Sequence, residues 1–244
     1  MKLLIGTPAY GGMLTINYAI SMIESTRNFI RDKVDFHVYA LGNESLINRG
    51  RNTIANFAMQ GDYDKLLFID SDIGWTYDDL CFVLNSNKPI IGGTYPMKAF
   101  PMSLNFNPMP GQFEVFEHTE ADGTKTYRKT IDKYDLYCQQ FADKTSGEVE
   151  VLHVPTGFMA INVKQVFGAL KDKVATYDSH DFRTGKLQVM HDFFPVRVKD
   201  RVLESEDWAF CSIAREAGIP VFLQTKVVLS HVGNYTFDIR RGMV

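Results

Sequence analysis

The chain has 244 residues, with 26 Lys and Arg against 29 Asp and Glu and a formal charge of −3. Its 45% apolar and 23% charged residues exclude a disordered, collagenous or coiled-coil protein, and the near-neutral balance argues against nucleic acid as the main partner, since phosphate neutralisation needs a basic surface. The length suits one large domain, and the scattered Cys81, Cys138 and Cys211 fit no disulfide or zinc framework and read as reduced thiols of a cytoplasmic protein.

In chain order, residues 2–6 form an apolar strand that Gly6-Thr7-Pro8 ends too soon for a signal peptide. No run approaches ~18 apolar residues, so no transmembrane segment is expected. Ile16, Ala19, Ile20, Ile23 and Ile30 recur at helical spacing and predict an amphipathic helix. Residues 36–40 are a second strand, 45–59 a second helix stopped by Gly61, and 65–69 a third, fully apolar strand. Thr76 caps a third helix, with Asp79 in the capping-box position, and residues 90–91 supply a fourth strand before Gly92-Gly93. This alternation predicts an α/β fold with a parallel sheet covered by helices on both faces and ligands at the carboxyl ends of its strands. From Pro96 to Glu150 prolines break the pattern, and Asp122-Gly123 marks a hairpin between residues 113–118 and 124–129. A strand-like run over 151–163, broken at Pro155-Thr156-Gly157, leads to a helix over 164–171 and a His- and Asp-rich loop. A helix over 205–217 and strands over 221–223 and 227–229 complete the chain.

The sharpest motif is Asp70-Ser71-Asp72, directly after the third strand. Two carboxylates that close repel each other unless a cation offsets them, and a hard ion such as Mg²⁺ or Mn²⁺ bound there keeps positions for phosphate oxygens. Helix-starting turn residues explain the same pattern equally well. Gly74 stands where a haloacid-dehalogenase-type phosphatase needs Thr, and where an EF-hand needs an oxygen ligand. Glu206-Asp207 opens a helix whose stripe is Phe210, Ile213, Ala214 and Ala217, so both acids border the core and one is a candidate general base. As dipole-complementing acids of a first turn they would need no further role. Arg49, Asn52 and Asn56 share a helix face, with Arg51 adjacent, and suit an anion or simply a solvated surface. Thr7, Pro8 and Tyr10 leave the first strand where a base or ribose would sit, and Gly92-Gly93-Thr94-Tyr95 with Lys98 brings backbone and a cation to the same edge. His231 on its own reads as a structural histidine. No phosphate-loop, dinucleotide or nucleophile-elbow signature is present.

Taken in order, Gly6-Thr7-Pro8, Leu46-Ile47-Asn48-Arg49-Gly50-Arg51-Asn52, Asp70-Ser71-Asp72, Gly92-Gly93-Thr94-Tyr95, Thr156-Gly157-Phe158-Met159, Ser205-Glu206-Asp207-Trp208 and His231 resemble a GT-A glycosyltransferase, notably its small single-domain viral and phage members. The resemblance implies one domain over 1–244, with a nucleotide-binding half (1–95) and an acceptor-binding half (96–244) joined by a mixed, mainly parallel sheet. It implies a nucleotide-sugar donor (UDP-, GDP- or dTDP-sugar), a glycan acceptor, and Mn²⁺ or Mg²⁺ held by Asp70, Asp72 and His231. Asp207 would be the base of an inverting reaction and Glu206 its neighbour positioning the acceptor. Thr7, Pro8, Tyr10, Arg49, Asn52, Asp70, Ser71, Lys98, Thr156 and Gly157 would line the donor site, in a host cytoplasm if the chain is viral. A sugar nucleotidyltransferase and a catalytically silent sugar-binding module are the competing readings.

Overall fold

Residues 1–99, 102–180 and 185–239, with the backbone of 242–243, are described by a computed structural model. The first half runs β1 (Lys2–Ala9), α1 (Ile16–Arg31), β2 (Asp35–Gly42), α2 (Ile47–Gln60), β3 (Lys65–Ile69), β4 (Ile73–Gly74), α3 (Tyr77–Leu84) and β5 (Ile90–Gly92). The second runs β6 (Asn107–Pro108), β7 (Glu117–Thr119), β8 (Lys125–Tyr127), α4 (Ile131–Phe141), β9 (Glu148–His153), β10 (Phe158–Asn162) and α5 (Val163–Leu170). It continues through β11 (Thr176–His180), β12 (Leu187–His191), β13 (Arg197–Lys199), β14 (Val202–Glu204), α6 (Glu206–Glu216), β15 (Val221–Gln224), β16 (Ser230–Val232), β17 (Thr236–Asp238) and β18 (Gly242–Met243).

Eight strands form the central sheet in the order β2-β1-β3-β10-β5-β15-β9-β6. β2, β1 and β3 are mutually parallel, as are β5 and β15, while β10 lies antiparallel between β3 and β5. The sheet is therefore mixed and mainly parallel, as the sequence led one to expect. Side chains alternate between its faces. Leu4, Leu66, Phe68, Ile90, Met159 and Ile161 pack under α2, α4, α5 and α6. Leu3, Ile5, Leu67, Ile69, Ile91 and Phe158 pack under α1 and α3. At Gly6 an added Cβ would lie 2.4 Å from Ile54, so this glycine lets α2 close onto β1.

Several expectations are corrected. The isoleucine stripe of α1 is not its core face. The buried face is Tyr18, Ser21, Ser25 and Phe29, because it clasps Trp75: the Ser21 hydroxyl donates to the Trp75 carbonyl (2.6 Å) and the Trp75 indole donates to Ser25 (3.0 Å). Val227 and Leu229 are buried but residues 227–229 are not a strand, since the Val228 amide donates to the Asp79 carboxylate at 2.8 Å and the ladder begins only at Ser230. Residues 113–116 make a 3₁₀ turn, and the hairpin pairs only Glu117–Thr119 with Lys125–Tyr127. The His- and Asp-rich loop holds two antiparallel ribbons, β11–β12 and β13–β14, and the excursion after Pro96 holds α4. The capping box is formed as expected, with Thr76 and Asp79 exchanging hydrogen bonds.

Candidate active site

The acids predicted to act together separate into two linked clusters at the carboxyl edge of β1, β3 and β5. Asp70 follows β3 and its amide donates to the Gly157 carbonyl (3.0 Å). Its carboxylate is taken by Arg51 of α2, whose Nη2 donates at 2.9 and 3.1 Å, while Arg51 Nε donates to Glu206 Oε1 at 3.2 Å. Arg51 is 3% exposed and lies over the Phe68 ring. Burial opposes its charge, but the carboxylates of Asp70 and Glu206 overcome that and raise its pKa. Its Nη1 is buried with no hydrogen-bond partner among the described residues. A buried N–H of that kind is costly unless something else accepts it.

Asp72 faces the other way. The Lys98 ammonium donates to its Oδ2, and His231 Nε2 lies 3.6 Å from its Oδ1. Burial raises the Asp72 pKa, yet hydrogen bonds and charge from His231 and Lys98 prevail and hold it at about 2. The backbone is equally fixed: Ser71 O accepts from the Thr15 amide (2.9 Å) and Asp72 O from the Val232 amide (2.8 Å). His231 Nδ1 lies 2.8 Å from the Pro96 carbonyl. A carbonyl only accepts, so Nδ1 carries a proton and Nε2 is the ring nitrogen left facing Asp72 Oδ1. Two such donor atoms facing one another require a proton or a cation between them, and a backbone carbonyl behind the ring is the usual support of a metal-bound histidine.

No group of three or more His, Cys, Asp or Glu side chains forms a complete metal cage among the described residues. Asp70, turned to Arg51, does not join Asp72 and His231 in one ligand set, and a carboxylate and an imidazole alone would suit a hard ion only if phosphate and water supplied its other ligands.

Asp207 stands in the first turn of α6, beside Glu206. Its Oδ1 accepts from the Ser205 hydroxyl and from the Trp208 amide (2.9 Å), and Oδ2 accepts from none of the described residues. Tyr95 is buried against this edge, with its ring edge-on to His231 at 4.9 Å. Burial pushes its phenol well up, and the charges of Asp70 and Asp207 add to the shift. Gly157 makes room for it: a Cβ there would lie 2.3 Å from the Tyr95 hydroxyl. Thr156 is buried in the same turn, between β9 and β10.

Other expected contacts have partners elsewhere. Arg49 is a half-exposed fork on Glu44 (2.6 and 2.7 Å). The Asn52 amide donates to Asp192 (2.6 Å) and accepts from Phe194 N (2.9 Å), so it ties α2 to the segment after β12. The Thr7 hydroxyl pairs with Tyr18 at 2.6 Å, inside the core. Pro8 is half-buried and Tyr10 is exposed beyond it. The residue that sequence reasoning undervalued is Arg51. Its signal was phase: it precedes Ile54 and Ala55 by three and four residues, which puts a charge on the apolar stripe of α2.

No protein-family model and no curated protein matches the sequence. Among solved structures the chain resembles A197 from STIV, at 14% identity and a TM-score of 0.54 over 100% of this chain and 93% of that one, a likeness of fold. GalNAc-T7 with UDP, GalNAc and Mn²⁺ aligns at 6% identity and a TM-score of 0.47, over 96% of this chain and 44% of that one. S. aureus TarS 1–349 in complex with UDP-GlcNAc aligns at 17% and 0.39, over 92% and 56%. Overlaps that loose add nothing to the first. No helix among the described residues is long and apolar enough to cross a membrane.

Proposed function

We propose that the chain is a glycosyltransferase that moves a sugar from a nucleoside-diphosphate sugar to a hydroxyl acceptor, with inversion. The observation that carries this reading is the Asp70–Arg51–Glu206 bridge, which ties the acidic turn after β3 to the first turn of α6, where Asp207 stands. Donor-side and acceptor-side acids are thereby held by one buried guanidinium.

Asp72 and His231 would hold Mn²⁺ or Mg²⁺, which supplies charge compensation for a diphosphate leaving group. Lys98, already on Asp72, adds a second positive charge to that side. Asp70, kept on Arg51, would face the ribose of the donor rather than the ion. Asp207 takes the acceptor proton on its open Oδ2 while the acceptor oxygen bonds to the anomeric carbon. The bond from that carbon to the diphosphate oxygen breaks on the opposite side, and the electron pair leaves with the diphosphate. Ser205 and Trp208 fix the other oxygen, so the base is oriented before the acceptor arrives.

The test is release of nucleoside diphosphate from a panel of UDP-, GDP- and dTDP-sugars in the presence of Mn²⁺. Release that Asp207→Asn abolishes supports the reading. Binding without release identifies a sugar-nucleotide sensor, and pyrophosphate release from a nucleoside triphosphate and a sugar phosphate identifies a nucleotidyltransferase.

A further inference from the structure

The apolar stripe of α1 faces away from the protein. Ile16 is 74% exposed, Ile20 53%, Ile23 62% and Ile30 68%, and Met13 extends the row beyond the helix start. Single exposed isoleucines are ordinary, but a row of four, interrupted by one arginine, marks a surface that something covers. The opposite face cannot turn outward to hide them, because Ser21 and Ser25 are committed to Trp75.

The spacing identifies the shape of the occupant. Residues 16, 20, 23, 27 and 30 advance by four, three, four and three, the 3.5-residue period of a helix–helix seam, with Arg27 at the one charged step. The row is narrow, since exposed Glu24 and Arg27 lie on it or beside it, whereas a bilayer surface rewards a broad apolar face.

The charges identify the partner. Glu24 and Arg27 are three residues apart, and neither is ion-paired with another described residue. In an antiparallel pair of α1 helices centred at the level of Ser25, Ile20 of each lies opposite Ile30 of the other and Ile23 opposite the stem of Arg27, whose guanidinium is then one residue's rise from Glu24 of the first. A parallel pair would set like charges together. The pattern is self-complementary about a two-fold axis, which is the requirement of an isologous interface. We propose that the exposed face of α1 is an interface between two copies of this chain, packed as antiparallel helices. This does not depend on the catalytic reading.

The test is sedimentation or light scattering of the full chain across a concentration series. The wild type is expected to be a dimer that dissociates on dilution, and Ile20→Glu combined with Ile23→Glu a monomer with an unchanged circular dichroism spectrum. Glu24→Arg and Arg27→Glu should each weaken association by about tenfold, and their combination should restore it. A wild type that is monomeric at every concentration overturns the proposal, as does a dimer indifferent to the isoleucine changes. A monomer that floats with anionic vesicles, and stops floating in the isoleucine variant, overturns it in favour of a membrane surface.

Discussion

Arg51 donates one guanidinium nitrogen to both carboxylate oxygens of Asp70, at 2.9 and 3.1 Å, beneath the sheet edge where the site is built. The pair divides the labour of the acidic turn: Asp70 is anchored to the protein, and Asp72 is left for His231 and Lys98.

Removing the anchor should be costly. Arg51→Ala strands Asp70 and Glu206 with no counter-charge at a largely buried position, and breaking such a pair costs about 3–5 kcal/mol. Urea unfolding should report a loss of that order. Arg51→Lys should recover only part of it, because an ammonium cannot reproduce the fork that reaches two acids at once.

Asp207→Asn keeps the shape of the first turn of α6 and removes the proposed base. Turnover should fall by about a hundredfold or more, within the range general-base catalysis contributes, while nucleoside diphosphate affinity stays nearly unchanged. Steady-state kinetics beside calorimetric titration separate the two. An equal fall in both would make the residue structural.

His153 predicts an acid-side loss of stability. Its ring stacks on Trp208 (4.9 Å, 5°) and its Nε2 lies 3.1 Å from the Ser212 hydroxyl, which donates to Glu204 at 2.7 Å. Burial, only partly opposed by Glu204, pushes its pKa down from 6.5 to about 4. The unfolded chain therefore binds a proton that the folded chain refuses between those values. Stability is full above pH 6.5 and falls as the pH drops toward 4, by on the order of 2 kcal/mol. Denaturant titrations at pH 7 and 4.5 should show the slope in the wild type and a flatter one in His153→Phe, which keeps the stack.

Much of the first half was legible because periodicity there coincides with burial. The residues 65–69 strand is apolar at four successive positions and sits in mid-sheet, and Thr76 with Asp79 forms the capping box their spacing announced. Where the physics is carried by polar contacts, the pattern misled. α1 buries serines because they bind Trp75, so its isoleucines signal a surface instead of a core. β10 enters antiparallel between parallel neighbours, which no local pattern encodes, and the ribbons over 176–204 are too short and too polar to stand out. Within the site, the acids stood out by residue type, whereas His231 read on its own as structural and was singled out only by the resemblance. Arg49 and Asn52 shared a face with one another but found Glu44 and Asp192, and only the long-range contacts with Asp70 and Glu206 single out Arg51.

The grip proposed for Asp72 and His231 on a metal-bound diphosphate is tested most directly by titrating UDP, GDP and dTDP into the protein with and without Mn²⁺. At least one nucleotide should bind tightly only with the ion, and Asp72→Asn and His231→Ala should each erase the difference. Equal affinity with and without Mn²⁺ for every nucleotide that binds, or an ion effect that survives both substitutions, would contradict the account.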